Sequence, residues 1–234
     1  MSDLGFRTEG QFTTGSQGAR SQDAILASNR VLKNTYLLLS MTLIFSAITA
    51  SISMMIAMPQ GAALILMLVS FGLLFWVHKA ADSSMGLVAI FAFTGCLGAS
   101  LGPMLNFYVT AIANGPALIM QALGGTGLIF LTLSGYVLTT RKDFSFMRGF
   151  LFTGLIVVVV AMLANIFLQI PALSLALSSA VIMIMSGLIL FDTSRIIHGG
   201  ETNYIRATVS LYLNIYNIFI HLLHLLAVLS GSRD

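Results

Sequence analysis

Seven long apolar stretches separated by short polar breaks run along this chain, near residues 34–57, 62–78, 85–111, 117–138, 149–169, 172–191 and 205–229. Each is long enough to cross the roughly 30 Å hydrocarbon core of a bilayer as a helix. None shows the apolar–polar alternation of a barrel strand. A backbone in lipid must bond to itself, so helices are predicted throughout. Residues 1–30 differ: they are rich in Gly, Ser, Thr and Gln. They hold too little large apolar surface to offset their ordering entropy, and a mobile tail is expected, with Asp23 the earliest point at which helix is expected. The predicted organisation is a tail over 1–30 and an all-α, seven-helix transmembrane domain over 31–234.

Composition agrees with lipid as the solvent. The 234 residues are 57% hydrophobic and only 8% charged, against roughly 25% charged in soluble domains. The net charge of +3 does not indicate nucleic acid, because the basic residues are scattered among loops and form no patch. A single cysteine, Cys96, excludes an internal disulfide and a cysteine-rich metal site, and its apolar surroundings read as packing.

The charges orient the bundle. Arg7, Arg20, Arg30 and Lys33 precede the first span, and Lys79 follows the second. Arg141, Lys142 and Arg148 lie between spans four and five, and Arg195 and Arg206 between six and seven. Ten of the eleven Lys and Arg therefore share one side, with Arg233 the exception. The breaks around Pro59, Pro116 and Pro171 carry no charge. The positive-inside rule places the charged side, and the N-terminus, in the cytoplasm and the C-terminus outside.

Polar and small residues inside the spans carry what chemistry there is. Gly98 and Gly102 form a small-xxx-small pair suited to close helix approach, and Pro103 predicts a kink around Ala99. Gly124, Gly125 and Gly127 read the same way. In span seven, Asn214, Asn217, His221 and His224 are spaced by three, four and three, which puts them on one helical face. Such a face belongs inside the bundle, either as interhelical hydrogen bonds or as the lining of a polar path, with Gln121, Asn165 and Gln169 as candidate partners. The two histidines alone make a weak metal signal, and no metal or cofactor is expected. Asp192 directly follows the apolar run of span six. An acid at a helix C-terminus opposes the macrodipole, so Arg195 or a base from another loop is its candidate partner. Two readings stand: a solvated carboxylate, or one that ties spans six and seven together and titrates or binds a hard cation such as calcium. No metalloprotease, serine-hydrolase or phosphate-loop motif occurs, so an enzyme is not expected.

The segments G-L-V-A at 86–89, G-A-S-L-G-P-M-L at 98–105 and A-L-G-G-T-G-L-I-F at 122–130 resemble the signature of the Bax inhibitor-1 family, with Thr110 and Gly127 standing where other small residues are expected. V-L-K-N-T-Y at 31–36, Y-V-L-T-T-R-K-D at 136–143, A-N-I-F-L-Q at 164–169 and I-I-H-G-G-E-T-N-Y-I-R-A-T-V-S-L-Y at 196–212 are similar to its bacterial YccA branch. The resemblance implies a multi-pass protein of the bacterial inner membrane that associates with the membrane protease FtsH and restrains it, as inhibitor or competing substrate. Other members of the family imply an alternative, a pH-sensitive calcium leak closed by two aspartates on spans six and seven. Asp192 matches the first position and Asn214 stands at the second, so a proton-sharing carboxylate pair cannot form. Lys79 or His78 is the nearest candidate for the base that the resemblance expects on span two.

Overall fold

The computed structural model describes residues 12–231, with side chains from residue 26 onward. It is all-helical over that range: α1 Phe12–Met55, α2 Gln60–Ala80, α3 Met85–Ser100, α4 Gly102–Ala111, α5 Gly115–Thr140, a single 3-10 turn at Ser145–Met147, α6 Arg148–Leu168, α7 Pro171–Ile197 and α8 Tyr204–Gly231. Seven segments are long and apolar enough to cross a membrane, α3 and α4 together making the third.

Two boundaries differ from the sequence reading. Helix α1 starts at Phe12 and not near Asp23, so much of the expected tail is helix; residues 1–11 lie outside the described residues. Once the span has nucleated, each added residue gains a backbone bond at little cost, and no proline interrupts 12–30. Span six was expected to stop at residue 191, but α7 continues to Ile197. Asp192 therefore sits more than a turn inside the helix. The end of the apolar run was the wrong marker, because Thr193, Ser194 and Ile196 are themselves buried and the helix is held by packing beyond its lipid-facing stretch.

The third span breaks where the proline directs. Pro103 has no N–H to give to Ala99, and the chain passes Leu101 as a turn, whose N–H reaches Gly98 O at 3.0 Å, before α4 begins. The glycines on either side of the break let α1 approach. A Cβ on Gly98 would strike the Ser46 carbonyl, and one on Gly102 would strike the Ser53 hydroxyl. Gly124 and Gly127 on α5 correct the expectation of packing there: a Cβ at either would meet open space, and of that group only Gly125 is crowded, by Leu222.

Helix α8 forms the centre. It packs on α7, α5, α1, α3 and α2, and Leu211, Ile218 and Leu223 on it are fully buried. Tyr212 joins three helices at once. Its hydroxyl pairs with Ser46 Oγ on α1 at 2.7 Å and reaches Thr94 O on α3 at 3.4 Å. Interhelical hydrogen bonds of this kind are worth roughly 1 kcal/mol each in a bilayer.

Candidate functional site

Three polar clusters are strung along α8. At its middle-to-charged half, Asn214 Nδ2 donates to Asp192 Oδ2 on α7 at 2.8 Å. Asn214 is only 4% exposed, so its amide has few other partners available and the bond joins the two helices directly. A buried carboxylate needs donors, and here an uncharged one supplies the contact.

Neither basic residue proposed from sequence reaches this carboxylate. Arg195 Nη2 turns away to Glu201 Oε2 at 3.4 Å and to Gly200 O at 3.2 Å, and its guanidinium lies 5.6 Å from the Phe191 ring centroid. The helical register explains the turn: three residues on, Arg195 lies one turn nearer the end of α7 and within reach of the loop that follows. Lys79 is exposed at the end of α2 and no bond joins it to Asp192; His78 is exposed too and bonds its own helix at Leu74 O.

At the far end of α8, His221 Nδ1 and Ser178 Oγ are 3.2 Å apart, and His224 Nε2 and Ser174 Oγ also 3.2 Å. The four residues form two rungs between α8 and α7. They border a cavity of about 350 Å³ that Asn165 and Tyr108 also line. Of the partners expected for this face, Asn165 is present, although its Oδ1 accepts from Ile170 N at 3.1 Å. Gln121 and Gln169 are exposed elsewhere. Asn217, expected to share the face, bonds Leu213 O of its own helix at 2.8 Å. Among the described residues no group of three His, Cys, Asp or Glu side chains could hold a metal ion.

The third cluster escaped the sequence reading. Asn203 caps α8, its Oδ1 accepting from Ile205 N at 2.8 Å and Arg206 N at 3.1 Å. Its Nδ2 donates to Asp82 Oδ1 at 2.8 Å, and Asp82 also pairs with Arg206. The α2–α3 turn is thereby tied to the start of α8. An asparagine just ahead of a long apolar run was the available signal. Nearby, Ser28 of α1 donates to Ile196 O and Ile197 O at 2.7 and 2.8 Å, covering the open end of α7. Ser194 accepts from Phe144 N at 3.0 Å, holding the α5–α6 loop.

Fold and site define a multi-pass, all-helical membrane protein whose central helix is tied to its neighbour by an interior carboxylate–amide bond. The chain belongs to the Bax inhibitor-1 family: the family model described as "Inhibitor of apoptosis-promoting Bax1" matches residues 28–231. It is 52% identical over 216 residues to the protein of Escherichia coli K12 named "Modulator of FtsH protease YccA", covering 92% of this chain and 97% of that relative. It is 55% identical over 213 residues to an uncharacterized membrane protein of Vibrio cholerae, covering 91% and 95%. A protein of Pseudomonas aeruginosa is 46% identical over 202 residues, covering 86% and 90%.

Proposed function

We propose that this protein is an inner-membrane modulator of an FtsH-type ATP-dependent protease, acting by binding, as inhibitor or competing substrate, and not by catalysis. The observation that carries this reading is the near full-length identity to a relative bearing that name. The shape of α1 supports it. Its apolar span is Leu26–Met55, yet the helix begins at Phe12, an overhang of about 21 Å at 1.5 Å per residue. The overhang shares an end with Arg141, Lys142, Arg195 and Arg206, which the positive-inside rule assigns to the cytoplasm. A cytoplasmic helix that projects beyond its apolar span is the kind of handle a processive protease engages.

The test is degradation of a membrane substrate by FtsH in proteoliposomes, with the full chain and with a form lacking residues 1–25. The full chain is expected to co-purify with the protease and slow degradation, and the shortened form to lose most of that effect. Absence of binding by the full chain overturns the function. Undiminished inhibition by the shortened form overturns only the role of the overhang.

A calcium or other cation leak is the second reading, favoured by the interior position of Asp192. Its pH-gated form is poorly supported, because the facing residue is Asn214 and no hydrogen bond joins the exposed Lys79 to the pair.

A further inference from the structure

Four helices border the cavity of about 350 Å³ at the uncharged end of the bundle. Of these, α7 and α8 pack on each other, whereas α4 and α6 pack neither on each other nor on α8. His221 and His224 of α8 line the cavity, and so do Met104 of α4 and Met162 of α6. The sequence alone offers two histidines three residues apart, too few ligands for a metal. The fold adds two thioethers from helices far away in the chain.

The histidines are held as metal-bound imidazoles are. A ligating ring is ordinarily fixed by a hydrogen bond at its other nitrogen. Here Ser178 meets Nδ1 of His221 and Ser174 meets Nε2 of His224, both at 3.2 Å. Among the described residues, Nε2 of His221 and Nδ1 of His224 have no such partner. They are not sealed in. Among the described residues, the buried side-chain nitrogen and oxygen atoms that lack a partner are the hydroxyls of Tyr36 and Thr126 alone. Both free ring nitrogens therefore keep accessible surface, in side chains that line the cavity.

The donor set chooses the ion. Thioether sulfur and imidazole nitrogen together suit Cu(I). Calcium and magnesium take oxygen ligands, carboxylates above all, and among the described residues no carboxylate lines the cavity. Zinc is bound by thiolate, imidazole and carboxylate, and two imidazoles fall short of its usual set. A monovalent ion also brings the least charge to a site that offers no counter-charge. The unbranched, flexible methionine side chain lets sulfurs from separate helices close on one ion. The way in is short. His224 lies seven residues before the end of α8 and Met162 six before the end of α6, about 10 Å or less along each helix.

We propose that His221, His224, Met104 and Met162 bind one Cu(I) ion, which ties α4 and α6 to α8 at this end of the bundle.

The test titrates the full chain in nanodiscs with Cu(I), in reducing, oxygen-free buffer, against a chromophoric Cu(I) chelator. X-ray absorption then reads the metal's neighbours. One ion per chain is expected, with both sulfur and nitrogen in its shell, and calcium should not displace it. The chain holds 13 methionines, so substitution decides whether this cavity is the site. Met104→Leu combined with Met162→Leu nearly conserves volume. It should remove the sulfur and weaken binding at least tenfold, while the metal-free protein unfolds near its native temperature. Ser178→Ala should weaken binding about tenfold to hundredfold by releasing His221. No Cu(I) binding, a shell without sulfur, or an affinity unchanged by either set of substitutions overturns the proposal.

Discussion

Asn214 holds the Asp192 carboxylate at 2.8 Å, an amide standing where a second acid would create a charged pair. Replacing it with Leu leaves a part-buried carboxylate without its donor. The expected cost is about 1–3 kcal/mol, read as a lower unfolding temperature of the detergent-solubilised protein. Asn214→Asp has a different signature. Two facing carboxylates repel when both are charged, so this variant should lose stability more steeply than the native protein as pH rises from 5 to 8. An unchanged profile in the variant would show that the two side chains do not face each other.

The contacts of α1 with α3 and α4 rest on Gly98 and Gly102, where any Cβ meets the Ser46 carbonyl or the Ser53 side chain. Gly98→Leu should destabilise by at least the 1–3 kcal/mol typical of overpacking and lower the yield of folded protein. Gly124→Ala and Gly127→Ala, in open space on the same kind of apolar helix, should be neutral or slightly stabilising, because alanine is the better helix former. Equal effects at all three positions would contradict the packing described.

Asn203 performs two tasks, capping α8 and anchoring Asp82. Asn203→Ala is expected to cost about 0.5–2 kcal/mol. Arg206→Gln, which removes only the exposed ion pair with Asp82, should cost no more than about 1 kcal/mol. Thermal melts of the two variants side by side check the order.

Outside the spans, the Asp143 carboxylate accepts from Ser145 N at 2.8 Å, and this backbone bond holds its carboxyl below the usual value. A lowered folded value means the contribution is present above the unfolded value, near 3.8, and disappears as pH falls through the folded one. Asp143→Asn should therefore lower stability at neutral pH slightly and make the acid limb of the stability profile shallower, as a melt series from pH 6 to pH 3 would show.

The sequence disclosed the spans and their break because both follow from one-dimensional rules. Lipid demands apolar helices, and Pro103 must free a carbonyl one turn back. It also brought Asp192 and Asn214 under notice as odd residues in apolar runs. It could not say which way Arg195 turns, since a side chain three residues on can face its own helix or the following loop. Nor could it separate Gly98 from Gly127. Both are small residues on apolar helices, and only the neighbour at 46 distinguishes a contact from a gap. Thr126 was invisible for the same reason: an unused hydroxyl is a property of its surroundings.

The central position of α8 bears on how the molecule is made. The helix that every other span but α6 leans on, wholly or in part, is encoded after all of them. Synthesis delivers the surrounding helices to the membrane first, with Ser46, Thr94, Ser174 and Ser178 still lacking the partners that α8 brings. Until that segment leaves the translocon, the earlier helices have only their contacts with one another, such as α1 and α2 on α3 and α5 and α6 on α7. The nascent protein is then a partly assembled set of spans that lacks its centre and is exposed to quality-control proteolysis, and its assembly is completed late, by the arrival of one helix.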